Sequence, residues 1–126
     1  MAGHRIVEGR NKPSSHTELY LRWVSELWNG RRNARELVSE DFVGHWPTHD
    51  VRGPDELQAF VDRTRKALQE LLFVIDVGPF VDGDVVAARW IATGSSTTGP
   101  ARFTGNDLLR IAGGRIVEYW SGASPA

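Results

Sequence analysis

Ala101-Arg102-Phe103-Thr104-Gly105-Asn106-Asp107-Leu108-Leu109-Arg110-Ile111, followed by the pair Gly113-Gly114 and by Arg115-Ile116-Val117-Glu118-Tyr119-Trp120, is the stretch whose reading decides the fold. Two runs rich in branched and aromatic residues, split by two glycines, read as an antiparallel hairpin. Alternation along the first run puts Phe103, Asp107, Leu109 and Ile111 on one side and Asn106, Leu108 and Arg110 on the other. A carboxyl group therefore stands on the apolar side of a strand. Upstream, Leu72 to Val77 and Asp84 to Thr93 have the same character and flank Asp82-Gly83, another short-hairpin signal. Four strands in an antiparallel meander occupy the C-terminal half.

The N-terminal half reads differently. Ser15 and Glu18 have capping-box spacing ahead of Leu19, Trp23, Val24 and Leu27, and Gly30 supplies a stop, so a first helix is expected over about 16 to 29. Asn33 and Glu36 repeat the signal before Ala34, Leu37 and Val38, but Asp41-Phe42-Val43-Gly44 interrupts, which limits a second helix to a turn or two. Gly53-Pro54-Asp55-Glu56 opens a third over about 54 to 70, with a face of Leu57, Phe60, Val61, Leu68 and Leu71. Helices segregated from antiparallel strands make an α+β domain whose sheet is covered on one face. Strands this long should curl around a pocket.

The chain has 126 residues, the size of one domain, with no repeat or internal linker. We expect a flexible segment over 1–13, one domain over 14–122 and a tail over 123–126. Fifteen Lys plus Arg against 16 Asp plus Glu give a formal net charge of −1, and so no bulk attraction toward nucleic acid or anionic lipid. Without cysteine there is no disulfide, thiolate nucleophile or zinc ribbon. No apolar run is long enough to cross a bilayer, and Met1 to Pro13 carries charges in place of a signal core, so a soluble cytoplasmic protein is expected. There is no Gly-x-Ser-x-Gly elbow and no Gly-x-Gly-x-x-Gly, which argues against serine hydrolases and dinucleotide enzymes.

Five tryptophans are the most informative compositional feature. Each indole brings a large apolar ring and one N–H that needs a partner when buried. Trp23, Trp28, Trp46, Trp90 and Trp120, with Tyr20, either fill the core or line a cavity for a flat organic ligand. Asp107, if buried, is a carboxyl whose pKa rises toward neutrality and which can then exchange protons; its plainer role is pairing with Arg89 or Arg102. His45 is either an acid/base group at the pocket rim or a surface loop histidine. Although His45 and His49 have the spacing of two metal ligands, Pro47 disfavours the helix between them and no carboxylate motif completes a site, so no metal is expected. Ser95, Ser96, Thr97 and Thr98 are most simply a turn.

Taken in order, Asp41-Phe42-Val43-Gly44-His45-Trp46-Pro47, Gly53-Pro54-Asp55-Glu56-Leu57, Gly83-Asp84-Val85-Val86, Asp107-Leu108-Leu109-Arg110-Ile111 and Gly114-Arg115-Ile116-Val117-Glu118-Tyr119-Trp120 resemble the SnoaL-like family of the nuclear-transport-factor-2-like superfamily, over about residues 16 to 120. The resemblance implies a cone-shaped barrel of a strongly curved, mostly antiparallel sheet closed by three N-terminal helices. It also implies a homodimer through the outer sheet face. Named members are polyketide cyclases that close a ring by intramolecular aldol chemistry without cofactor or metal, and Asp107 matches their acidic residue. Ketosteroid isomerases of the superfamily have a general-base aspartate near the position of His45-Trp46, where this chain has none. Many SnoaL-like chains carry Gly-Thr-His on the strand before the acidic one, whereas this chain reads Ala92-Thr93-Gly94-Ser95. Limonene-epoxide-hydrolase-like members need an Arg and two Asp; Arg89 supplies a cation, but Ile91 stands where a carboxylate is expected.

Two functions follow as expectations. One is a cofactor-independent cyclase or isomerase of secondary metabolism acting on an apolar aromatic or polycyclic intermediate. In it Asp107 and His45 are catalytic, and Tyr20, Trp23, Trp28, Trp46, Arg89, Trp90 and Trp120 bind substrate. The other is a ligand-binding or dimerisation module without chemistry.

Overall fold

Four long strands of the C-terminal half and two shorter ones upstream build one six-stranded sheet in the computed structural model, which describes residues 15–125. The elements are α1 (Ser15–Arg22), β1 (Val38–His45), β2 (Asp50–Arg52), α2 (Gly53–Ala67), β3 (Gln69–Asp82), β4 (Val85–Ser96), β5 (Gly99–Ala112) and β6 (Arg115–Pro125). Strand order is β2-β1-β6-β5-β4-β3. Neighbours run antiparallel except β1 and β6, which are parallel, so the sheet is mixed. The two glycines of the decisive hairpin both have positive φ (60° and 76°), the backbone of a two-residue turn that joins Ala112 to Arg115 with the right-handed twist of its strands.

The expected meander is present, and two features of the expectation are corrected. First, the α-helices among the described residues number two, not three. The sequence from Asn33 makes only a single 3-10 turn, Ala34–Glu36, with the Asn33 side chain accepting from the Arg35 amide. Leu37 and Val38 then feed directly into β1, so Asp41-Phe42-Val43-Gly44 is a strand and not an interruption. Polar residues and a glycine hide its pattern, yet Val38, Phe42 and Gly44 are buried. Second, the sheet is not closed. Its edges are the three-residue β2 and the long β3, whose pairing to β4 shifts register three times.

The first helix changes pitch midway. After Arg22 the chain runs as a π-helical turn, Trp23–Leu27, with the Trp28 amide donating to the Trp23 carbonyl at 3.2 Å. Trp23, Val24, Leu27 and Trp28 all face inward. α2 starts with Pro54 in its first turn, where a missing amide hydrogen costs nothing, and the Glu56 carboxylate reaches back to the Arg52 amide at 2.8 Å. It ends at Ala67 because Leu68 turns extended, so Leu71, expected on the helix face, is buried from β3 instead.

β6 continues past Trp120, and its residues 121–125 pair with β5, so the expected tail begins as strand. The segment expected to be flexible over 1–13 lies outside the described residues. Among the described residues no helix is long and apolar enough to cross a membrane. The helices cover one face of the sheet, and between the two layers sits the core of Tyr20, Trp23, Leu27, Phe42, Leu57, Val61, Val86 and Leu109.

Candidate functional site

Alternation along β5 turns Asp107 inward together with Leu109 and Ile111, while Leu108 and Arg110 point out. Asp107 is 2% exposed and is the buried charged residue of the described chain. Three donors from three elements converge on it. Tyr20 on α1 donates to Oδ2 at 2.9 Å; Trp90 Nε1 on β4 and the Tyr119 hydroxyl on β6 donate to Oδ1 at 2.9 and 2.6 Å.

These bonds and the burial pull in opposite directions. Loss of solvation disfavours the carboxylate and raises the Asp107 pKa from the ordinary 3.8, while the bonds from Tyr119, Trp90 and Tyr20 favour the anion; burial prevails and the group is held at about 6. Burial and the adjacent carboxylate push the Tyr20 and Tyr119 phenols far upward, so both stay protonated and act as donors. Ser121, paired across the strands with Asp107, approaches the Tyr119 hydroxyl closely enough to ease that phenol downward, yet its buried Oγ makes no well-formed hydrogen bond.

Asp107, Trp90 and Tyr119 form one wall of a cavity of about 240 Å³. Trp23, Trp28, Trp46, Phe60, Phe73 and Phe103 supply most of the rest, and Asp107 is the single charged side chain in the lining. The rings meet at angles that leave little freedom: Trp46 and Phe60 are edge to face at 4.8 Å, Phe73 and Trp90 at 5.1 Å, and Tyr119 lies 4.9 Å from both Trp23 and Trp46. Two glycines place two of the indoles. A Cβ on Gly105, opposite Trp90 in the sheet, would stand 2.2 Å from the Trp90 ring, and one on Gly44 would stand 2.4 Å from that of Trp46. Each indole occupies the space that a Cβ at its glycine would need.

The structure gathers Tyr20, Trp23, Trp28, Trp46, Trp90 and Asp107 at or behind this cavity, and it places His45, Arg89 and Trp120 elsewhere. His45, at the end of β1, has its ring stacked on Trp120 with 5.6 Å between centroids, and its nitrogens bond Glu118 Oε2 at 2.7 Å and Asp50 Oδ1 at 3.2 Å. The Glu118 hydrogen bond, above all, raises its pKa. It ties β2 and β6 to β1 and does not line the cavity. Arg89 reaches Asp76 at 3.1 Å on the same outer face.

Tyr119 was not among the expected site residues. The signal for it was its neighbour: alternation allows only one of Tyr119 and Trp120 to face inward. A register shift between Arg110 and Ile111, invisible in the sequence, turns in the tyrosine. Among the described residues no three of His, Asp and Glu come together as metal ligands. His49 lies instead against Phe60 at 5.2 Å.

Comparison with known proteins follows this geometry. The model of the SnoaL-like domain matches residues 21–119. No curated protein matches the chain. Among solved structures, a proposed SnoaL-like polyketide cyclase from Jannaschia sp. CCS1 superposes with a TM-score of 0.78 at 21% identity, covering 88% of this chain and 86% of its own. IdmH, a proposed polyketide cyclase from Streptomyces antibioticus, gives 0.76 at 23% identity, covering 86% and 91%. A proposed polyketide cyclase from Bacillus cereus ATCC 10987 gives 0.78 at 24%, covering 88% and 75%. At these identities the structures share the fold, and the match of the domain model over most of the chain gives the family: this protein belongs to the SnoaL-like domain family.

Proposed function

We propose that the protein is a cofactor-independent cyclase or isomerase of secondary, polyketide-type metabolism, with Asp107 as its proton-transferring group. The supporting observation is a carboxyl held near neutrality on the wall of an otherwise aromatic cavity. A group poised there takes and returns a proton at low cost. In an intramolecular aldol closure, ionised Asp107 removes a proton from a carbon beside a carbonyl. The resulting enolate carbon attacks a second carbonyl of the same molecule, and the new alkoxide takes the proton back from Asp107. Composition is unchanged and nothing else is consumed. In the epoxide-opening variant the protonated acid delivers its proton to the epoxide oxygen as an internal hydroxyl attacks the ring carbon, and the resulting carboxylate then takes up the hydroxyl's proton, which restores the acid. The aromatic walls hold the flexible substrate folded near its attack geometry, so proximity carries much of the acceleration. His45, tied to Asp50 and Glu118 away from the cavity, has no part in this scheme.

A binding module without chemistry is the second reading, favoured by the lack of a second carboxyl or a histidine in the cavity lining. Incubation of wild type and Asp107→Asn with a polyketide and aromatic-metabolite extract, followed by mass spectrometry of the released compounds, separates the two. A product of unchanged mass made only by wild type is expected. Ligands released unaltered by both proteins would establish the binding module.

The proposal includes a cytoplasmic homodimer joined through the outer sheet face. Phe80, 63% exposed, together with Leu72, Val74, Val77 and Leu108 gives that face more apolar surface than a solvated sheet needs.

A further inference from the structure

An ionised carboxylate offers about four acceptor positions, two on each oxygen. Asp107 Oδ1 has both of its positions taken, by Trp90 and Tyr119, whereas Oδ2 receives only Tyr20 among the described residues. Both phenols spend their single hydrogen on Asp107, and an indole N–H cannot accept. The described residues thus supply three donors for four positions and leave one on Oδ2. That position can accept a donor from a ligand while Asp107 is ionised. Once Asp107 is protonated, its hydrogen belongs on Oδ2, the less occupied oxygen, and the same position becomes a donor.

Charge and volume constrain the remainder of the ligand. The cavity lining has no Lys or Arg, so an anionic ligand would meet the Asp107 charge with no compensating cation. A cavity of roughly 150 Å³ holds benzene. The 240 Å³ here is larger in proportion to a ligand core of about ten non-hydrogen atoms, that is, two fused rings.

We infer that the cavity selects neutral two-ring compounds that present one hydroxyl or enol O–H to the open position of Asp107 Oδ2, and that protonation of Asp107 converts this preference into one for a carbonyl acceptor. The inference rests on the cavity being a small-molecule site, as proposed above, and narrows its substrate to a class.

The test is calorimetric titration of the full chain with 2-naphthol and 1-tetralone, which have the same number of non-hydrogen atoms and differ in offering a donor or an acceptor. At about pH 8 wild type is expected to bind 2-naphthol at least about tenfold more tightly, the scale of one hydrogen bond to a charged group. At about pH 5 the order reverses. Asp107→Asn, with an amide nitrogen in place of Oδ2, is expected to prefer 1-tetralone at both pH values. The pH series on wild type gives the answer even if the variant fails to fold. 2-Naphthoate is expected to bind at least about tenfold more weakly than 2-naphthol. Equal binding of naphthol and tetralone at both pH values, or naphthoate binding as tightly as naphthol, overturns the inference while leaving the cavity a ligand site. Absence of binding by all three overturns the inference and the small-molecule site together.

Discussion

Replacing Asp107 by Asn is expected to remove the pH-dependent loss of stability that a buried carboxyl brings and, under the proposed function, to abolish turnover. The amide is nearly isosteric, its oxygen accepts from Trp90 and Tyr119 as Oδ1 does, and its nitrogen can donate to the Tyr20 oxygen. The variant loses the buried charge but leaves the Tyr20 hydrogen without its acceptor, a cost of about 1–3 kcal/mol that does not change with pH. In wild type the folded Asp107 pKa of about 6 exceeds the ordinary 3.8. The folded state therefore binds the proton more tightly than the unfolded chain. Its stabilising contribution is complete below about pH 3.8 and is lost as pH rises through about 6. A shift of about two units corresponds to about 3 kcal/mol. Urea unfolding at several pH values between 3 and 8, extrapolated to water, measures the difference between the two proteins. The wild type should lose about 3 kcal/mol relative to Asp107→Asn across that range, most of it between pH 4 and pH 7. His45, whose pKa is raised chiefly by Glu118, acts in another window, stabilising below its ordinary 6.5 and less as pH rises beyond it. Both proteins share that contribution, so it cancels. Parallel pH profiles would refute the account, because the buried carboxyl would then carry no penalty for ionising.

Two further substitutions test the site and the outer face. Gly105→Ala forces the Trp90 ring out of a space where a Cβ would stand 2.2 Å away; it should cost about 1–3 kcal/mol, shift tryptophan emission and weaken 2-naphthol binding, and a variant with wild-type emission and affinity would show that Gly105 does not position the indole. If the outer face joins two copies, Phe80→Asp should convert a dimer to a monomer in light scattering, since it sets a charge on the most exposed of the large apolar side chains there; a wild type that is already monomeric, or a variant that stays dimeric, removes that surface from the proposal.

The parts of the fold legible in the sequence were those fixed by local chemistry. The Asp82-Gly83 signal marked its hairpin one residue early, since the turn is Gly83-Asp84 between paired Asp82 and Val85, whereas Gly113-Gly114 set its turn, Pro54 the start of α2, and strict alternation the inward direction of Asp107. What escaped depends on partners distant in the chain. β1 is polar along one side because it is flanked by β2 and β6 and buries only Val38, Phe42 and Gly44 firmly. The choice between Tyr119 and Trp120 hangs on a bulge that pairing with β5 creates. His45 belongs with Trp120 because β1 runs parallel to β6 with these two residues in register, a pairing between segments more than seventy residues apart. Local pattern tells which side of a strand a residue occupies, but only pairing tells which strand lies next to it.

The network around Asp107 therefore has a direction. Three donors aimed at one side chain are the environment of an acceptor; an asparagine would satisfy Trp90 and Tyr119 through its one oxygen, but its nitrogen cannot accept the Tyr20 hydrogen. A carboxyl in that place gives up about 3 kcal/mol of stability at neutral pH. Part of that cost is returned by the Tyr20 hydrogen bond, which an amide nitrogen cannot accept. In the proposed reaction the rest is returned as the ability to change protonation state near neutrality. Oδ1 is held by a tryptophan and a tyrosine of the cavity wall, which fixes the plane of the group, while Oδ2 receives only Tyr20 among the described residues. Held on one oxygen and less occupied on the other, Asp107 has the arrangement that the proposed proton transfer requires.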